Sequence, residues 1–408
     1  MEYKELSKLY YMNDSPTRDS DLAAEEKRRR TAASTFDTGY ETPDGTLFVA
    51  MPRELTILAE KIMRSERRVS KLMESLPPIA RRATLRALVF DEIMNSNTME
   101  GVHSTRAQVR EAVEEASGDN VADKRFRELA RLYLDIIDSQ QRTPRTAEDI
   151  RKIYDRAISA EISPEHQLDG TLFRKNGVDI VAGGMRIVHK GLEPEEKIIA
   201  AMDAMLALIN SNETPELIGA IASHYLFEYA HPFYDGNGRT GRYLLSLFLS
   251  EVLSKPTALS LSRTIAENTT AYYRAFKTAE HPLNKGELTF FVYEMLSLVQ
   301  IAQQRIIVDL ESNIEKFEKT SARLSALEQE GKRSAYEMKI LSMMAQYKLF
   351  ALHEDVPLAD IASILGLGIQ MTRKHIAKLE KNGVVEKRKQ RKPITFALSD
   401  TAKERLGI

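Results

Sequence analysis

Along most of the chain, apolar residues recur three and four positions apart, the period of a helix with one buried face. Leu55, Leu58, Ile62, Val69, Leu72 and Leu76 form one such stripe and predict a helix over 51–76, which Pro77-Pro78 stops. A second runs from Ile79 through Leu85, Leu88, Val89, Ile93 and Met94 to Ser96-Asn97-Thr98-Met99-Glu100-Gly101, where Gly101 suits a helix end. Residues 102–165 keep the period through Leu129, Leu132, Leu134, Ile136, Ile150, Ile153 and Tyr154. Leu217, Ile218, Ile221, Tyr225 and Leu226 predict another helix, and the run Tyr243 to Leu249 is apolar on nearly every face, as a buried helix is. Residues 1–50 show no period. They are polar, carry Glu-Glu-Lys-Arg-Arg-Arg at 25–30, and read as a solvated N-terminal arm.

The period changes twice. After Pro164, Val178-Asp179-Ile180-Val181 and Met185-Arg186-Ile187-Val188-His189 flank Gly183-Gly184, two β-prone runs around a turn that predict a hairpin within 174–189. The edge of a lone hairpin in a helical domain can recruit another strand. Leu288 to Leu298 then predicts a closing helix, and Leu310, Ile314, Phe317, Leu324 and Leu327 predict an amphipathic connector over 301–333, suited to pairing with a second chain. Beyond 334, helical patterns at 340–344, 358–367 and 371–379 precede strand-like runs at 383–385 and 394–398, the order of a winged helix-turn-helix. The predicted divisions are thus an arm (1–50), a helical region (51–165), a core (166–300), a connector (301–333) and a C-terminal domain (334–408).

Composition removes alternatives. The chain of 408 residues is 43% apolar, enough for two or three cored domains, and its net charge of −1 gives no global pull toward nucleic acid or membrane. With no cysteine, neither a disulfide framework nor a thiolate metal site can form. No run approaches the roughly 18 apolar residues of a membrane span, and the polar start lacks a signal peptide's apolar core, so a cytoplasmic protein without membrane contact is expected.

The candidate chemistry is concentrated in His231-Pro232-Phe233-Tyr234-Asp235-Gly236-Asn237-Gly238-Arg239-Thr240-Gly241-Arg242, between two apolar helical patterns. Pro232 ends the first helix, and Gly-Asn-Gly permits a tight turn that opens the second. Such a turn points backbone N–H groups at an anion beside the positive end of the helix dipole. Arg239 and Arg242, three apart, can fork onto phosphate oxygens, and Asp235 is a hard oxygen ligand suited to a Mg²⁺ that also touches phosphates. His231 is the group here that titrates near neutrality and can take a proton from an attacking hydroxyl. The stretch reads as nucleotide phosphate transfer onto a hydroxyl.

The string matches His-Pro-Phe-x-Asp/Glu-Gly-Asn-Gly-Arg-x-x-Arg at every fixed position and so resembles the Fic family. The resemblance implies a mainly α fold, a Fic-type helical bundle with a small hairpin flap, here with a C-terminal winged helix. Most Fic proteins are protein adenylyltransferases, moving AMP from ATP to a Ser, Thr or Tyr hydroxyl. By resemblance, His231 is the base, Asp235 binds Mg²⁺, Gly236, Asn237, Gly238 and Arg239 cradle the phosphates, and Arg242 holds the γ-phosphate. Ser96-x-x-x-Glu100-Gly101 resembles the family's inhibitory motif, in which the glutamate pairs with the second arginine in place of the γ-phosphate; in some relatives it also supports removal of AMP. The hairpin after Gly170 to Arg174 is similar to the flap that clamps the target segment by main-chain pairing. Val178, Asp179, Ile180 and Val181 are then expected at the nucleotide, as is Tyr272 of Ile265-x-x-Asn268-x-x-x-Tyr272-Tyr273. His189, His224 and His281 are expected to be structural or surface residues.

These readings imply ATP as co-substrate, a target protein (or the chain itself) as acceptor, and, from family habit, a homodimer. Between Arg373 and Lys392 stand nine Lys or Arg against Glu380 and Glu386, so the winged helix could meet a DNA backbone, although such modules also dock proteins. Two alternatives stay open: a DNA-binding regulator whose Fic domain senses nucleotide, and a Fic enzyme with another donor, moving UMP, phosphocholine or phosphate.

Overall fold

The helical periodicity governs the computed structural model, which describes residues 2–116, 125–158, 161–182, 186–389 and 394–408. The turn residues Gly183 and Gly184 and the cations Arg391 and Lys392 lie outside the described residues. Two compact units form: Met1–Arg67 with Val89–Gln304, and Arg68–Leu88 with Arg305–Ile408.

The first unit opens with α1 (Leu6–Met12), α2 (Arg18–Arg30) and an antiparallel hairpin of β1 (Thr35–Thr42) and β2 (Gly45–Ala50). The expected solvated arm is therefore folded. Leu6, Leu47, Phe48 and Val49 are buried, and Phe48 exchanges backbone hydrogen bonds with Gly286 and Leu288. Arg29, read as part of a solvated basic run, is buried, donating to Glu287 at 2.7 Å and Glu25 at 2.8 Å with its guanidinium over Tyr3. The arm's anchor comes from 258 residues further along, where no local period can announce it.

Next come α3 (Arg53–Ser75), stopped before Pro77-Pro78, and α4 (Pro78–Met99). Then follow α5 (Arg106–Glu115), α6 (Arg127–Ile137) and α7 (Ala147–Ala157). The second hairpin is β3 (Asp179–Ala182) with β4 (Arg186–Lys190), so Val178 falls just before the strand. Helices α8 (Glu195–Ile209), α9 (Glu216–Ala230) and α10 (Asn237–Val252) build the centre. Every residue of α10 from Asn237 to Leu249 is buried, as the all-round apolar pattern from Tyr243 onward requires of that part. Around it stand α11 (Lys255–Ala258), α12 (Leu261–Glu267) and α13 (Thr269–Ala279).

The closing helix and the connector are one helix, α14 (Thr289–Gln329), because no glycine or proline interrupts 289–329. The unit boundaries fall inside α3, α4 and α14; the last, between Gln304 and Arg305, lies close to the division expected at 300/301 but within a continuous helix, and 68–88 belong with the C-terminal part. The second unit continues with α15 (Ala335–Phe350), β5 (Val356–Pro357), α16 (Leu358–Leu365) and α17 (Ile369–Lys381). It ends with β6 (Val385–Lys389), β7 (Thr395–Leu398) and α18 (Asp400–Leu406), the strands forming a sheet of order β5-β7-β6. Its core gathers Ile340, Leu341, Met344, Ile361, Ile376, Leu379, Phe396 and Leu398.

Candidate active site

The site is the junction of α9 and α10. His231 caps α9 in the left-handed region, φ 50°, which swings the chain out of the helix before Pro232. Phe233 is buried and stacked on Tyr154, ring centroids 3.7 Å apart. Asn237 closes the loop: its Oδ1 accepts from Phe233 N–H at 2.8 Å, and its Nδ2 donates to Phe233 O at 2.7 Å. Its side chain, expected at the phosphates, is spent on loop shape. Gly236 has φ 79°, and a Cβ there would strike Ile158. The open N–H groups of the first turn of α10 then face outward, an anion cradle.

The cradle holds a carboxylate of the protein itself. A Cβ on Gly238 would collide with Glu100, whose carboxylate therefore lies against the first turn of α10. Glu100 Oε1 accepts from Arg242 Nη2 at 2.8 Å. Buried Arg242 also donates to Ser96 Oγ at 2.9 Å and Ser96 O at 3.0 Å. The structure thus brings Ser96, Glu100, Gly238 and Arg242 together. Arg239 is turned elsewhere, its Nη1 donating to Glu161 at 3.0 Å, a partner that no sequence pattern singled out. Asp235 is exposed, one oxygen accepting from Gly236 N–H at 2.5 Å.

His231 borders a cavity of about 420 Å³ lined by Glu228, His189, Tyr272, Tyr273 and Phe276 among others. Its Nδ1 donates to Glu228 O at 3.3 Å, so Nε2 carries the lone pair. Burial pulls its pKa down to about 4, against the Glu228 carbonyl and the charge of Glu100, and it is neutral at pH 7. Buried Arg174 fixes the junction from beneath, donating to Ala230 O, His231 O and Asn176 O at 2.6–3.1 Å.

The cavity's other walls revise several expectations. The ring of Tyr272 lines it, but the hydroxyl is committed to His224 Nε2 at 2.9 Å. Burial takes His224 down to about 3, a neutral structural histidine as expected. His281 likewise caps a turn, its Nδ1 accepting from Leu283 N–H at 3.2 Å. His189, expected as a structural or surface residue, is held structurally on the cavity wall, with Nε2 on Tyr229 O at 2.8 Å and Nδ1 3.2 Å from Glu280. Burial lowers its pKa, and the Glu280 pairing more than reverses that. His189, rather than Val178 or Asp179, is the described hairpin residue on the wall. The backbones of Ile180 and Val181 pair with His189 and Ile187.

Fold and site together define a class, a helical domain built around one loop–helix junction with a neutral imidazole beside the helix start. Residues 144–249 match the Fic/DOC family, and the chain carries a Fic domain. Among curated relatives, the protein adenylyltransferase Fic of Drosophila mojavensis is 27% identical over 241 residues, 56% of this chain and 44% of that protein. The Drosophila melanogaster protein of the same name is 26% identical, covering 52% of this chain and 41% of its own. The chain thus spans less than half the length of these relatives. A Fic family protein from Desulfovibrio desulfuricans G20 shares the fold, with a TM-score of 0.51 at 20% identity over 86% of this chain and 97% of that one.

Proposed function

We propose that the chain is a Mg²⁺-dependent protein adenylyltransferase held off by Glu100. The observation that carries this is a neutral His231 beside an anion cradle that Glu100 fills through Arg242. In the reaction, a target hydroxyl attacks the α-phosphorus of ATP in line and gives its proton to His231 Nε2. The new O–P bond forms as the bond to pyrophosphate breaks. The first turn of α10 receives phosphate oxygens, and Arg242 takes the γ-phosphate once Glu100 has left. The β3–β4 hairpin offers an edge for the target segment. Among the described residues no cluster of three or more acidic or His ligands exists, so Asp235, exposed at the cradle's rim, is the carboxylate fitted to hold Mg²⁺ together with substrate phosphates. When bound, the metal would neutralise phosphate charge. By the same reading Glu100, whose charge reaches His231, also serves hydrolytic removal of AMP from the target.

The test is labelling of protein by ATP carrying label on the α-phosphate. Glu100→Gly is expected to self-label where wild type hardly does, and His231→Ala in that background is expected to abolish the label with the fold intact. Full labelling without His231 would sink the mechanism; no labelling in either form, with ATP bound, would point to another donor.

A second role belongs to the C-terminal unit, which we read as a winged helix. Arg373, Lys374 and Lys381 on α17 and Lys387, Arg388 and Lys389 on β6 are all exposed, the charge a DNA backbone requires. Duplex binding that weakens steeply between low and physiological salt would support this; no binding at low salt would leave the unit a protein-docking module.

A further inference from the structure

Glu228, on the last turn of α9, has no part in the reaction as derived so far. Its side chain is 13% exposed and shares a helical face with His231, with Oε2 3.8 Å from His231 Nδ1. Oε1 is buried without a hydrogen-bond partner. The room it occupies exists because position 241 is glycine: a Cβ there would collide with Oε1. A carboxyl group kept dry, given space by a glycine and aimed at the far side of a base is an expensive feature for packing alone.

We propose that Glu228 is a positioning residue for His231: its carboxylate faces Nδ1, which the Glu228 carbonyl already holds as a donor, and balances the imidazolium formed when Nε2 takes the target's proton. The proposal rests on the adenylyl-transfer reading above. The 3.8 Å separation in the resting state is of the kind that closes when charge develops on the ring. Arg242 on α10, Glu100 beyond α4 and His189 on β4 set the charge of Glu228, and Tyr272 and Tyr273 of α13 face it as neutral phenols. Burial holds Glu228 up at about 8, Arg242 pulls it down, and Glu100 adds to the rise. Above that pH the carboxyl is ionised and the base has its counter-charge.

The experiment compares Glu100→Gly with Glu100→Gly/Glu228→Gln, since Gln keeps the shape and removes the charge. The double variant is expected to melt at the parental temperature and keep its KM for ATP within twofold. Its kcat at pH 8 should fall by at least about tenfold, within the ~100-fold or more that general-base catalysis supplies. The rise of kcat with pH through the Glu228 ionisation should be lost. ¹⁵N spectra of the His231 ring, read from pH 7 to pH 9 in both proteins without ATP, should follow the Glu228 ionisation in Glu100→Gly and stay flat in the double variant. Parental kcat, pH profile and ring titration in the double variant would overturn the proposal. If Glu100→Gly itself transfers nothing, the adenylyl-transfer reading has failed, and the ring spectra still decide whether Glu228 supports His231.

Discussion

Glu92 and Glu100 stand on one face of α4 and its extension, eight residues apart, and their surroundings differ in every respect that matters. Glu92 is 1% exposed and has no cation bonded to it; it accepts from Ser262 N–H and Oγ–H and from Ser246 Oγ–H at 2.6–3.2 Å. Glu100 lies just past the helix end, its side chain 27% exposed, bonded to Arg242. Both face α10, yet one carboxyl is buried in neutral donors and the other, partly exposed, is held by an arginine. On the function proposed above, a helix is fastened at one point and carries a removable plug two turns later. The comparison separates residues that hold the fold from residues that hold the state.

The largest effect should come from the plug. Glu100→Ala is expected to raise ATP-dependent labelling by about tenfold or more, within the 5–150-fold that a coupling of this size gives. It should cost about 1 kcal/mol of stability or less, since the pair is partly exposed and Ser96 still holds Arg242. Parallel labelling and denaturant titration check both numbers. Glu92→Ala should do the reverse, losing about 2–4 kcal/mol by stranding buried donors and opening a cavity. If the two swapped outcomes, the distinction between anchor and plug would collapse.

Acidity sharpens the same contrast. Burial raises Glu92 to about 7 against its hydrogen bonds, while an unfolded glutamate titrates near 4.5. Between those values the folded chain holds a proton that the unfolded chain has lost. Stability from this group is therefore full below pH 4.5 and falls as pH rises to 7, by up to about 1.4 kcal/mol per pH unit. Denaturant titrations of wild type and Glu92→Gln at pH 5 and pH 7.5 should diverge, the variant lacking this slope; equal slopes would show that Glu92 stays ionised.

How far these sites could be read from sequence depends on the distance between partners. The junction was legible because twelve adjacent residues carry it, and a loop of Pro, Gly and Asn between two apolar helices has few ways to fold. Glu100 was legible only through its place in a known pattern. Glu92, Glu161 and Glu228 gave no sign, since an acidic residue inside a helical stripe is ordinarily a solvated one. What changes their meaning is the far partner: Ser262 lies 170 residues beyond Glu92, and Arg239 lies 78 beyond Glu161. Arg29 fails in the same way. The place of His189 on the cavity wall was not legible, because β4 carries it to a wall built by α9 and α13, a contact outside any local window.

The smallest effect tests what lies between anchor and plug. Ser96 is one turn from each and touches Arg242 twice, through Oγ and through its own carbonyl. Ser96→Ala removes only the first contact. The carbonyl still accepts from Nη2, but Nε of a buried arginine is left without its bond, a loss of about 1–3 kcal/mol for a donor of this kind. Arg242 then has less reason to stay in the geometry that Glu100 reads, so labelling should rise by about two- to threefold, well below the effect of Glu100→Ala. In Glu100→Ala/Ser96→Ala the gain should not add, because with the carboxylate gone there is nothing left for Ser96 to steady. Full additivity would mean that Ser96 acts on Arg242 as a phosphate ligand and not through the plug, and the face of α4 would then divide into anchor and site with no intermediate.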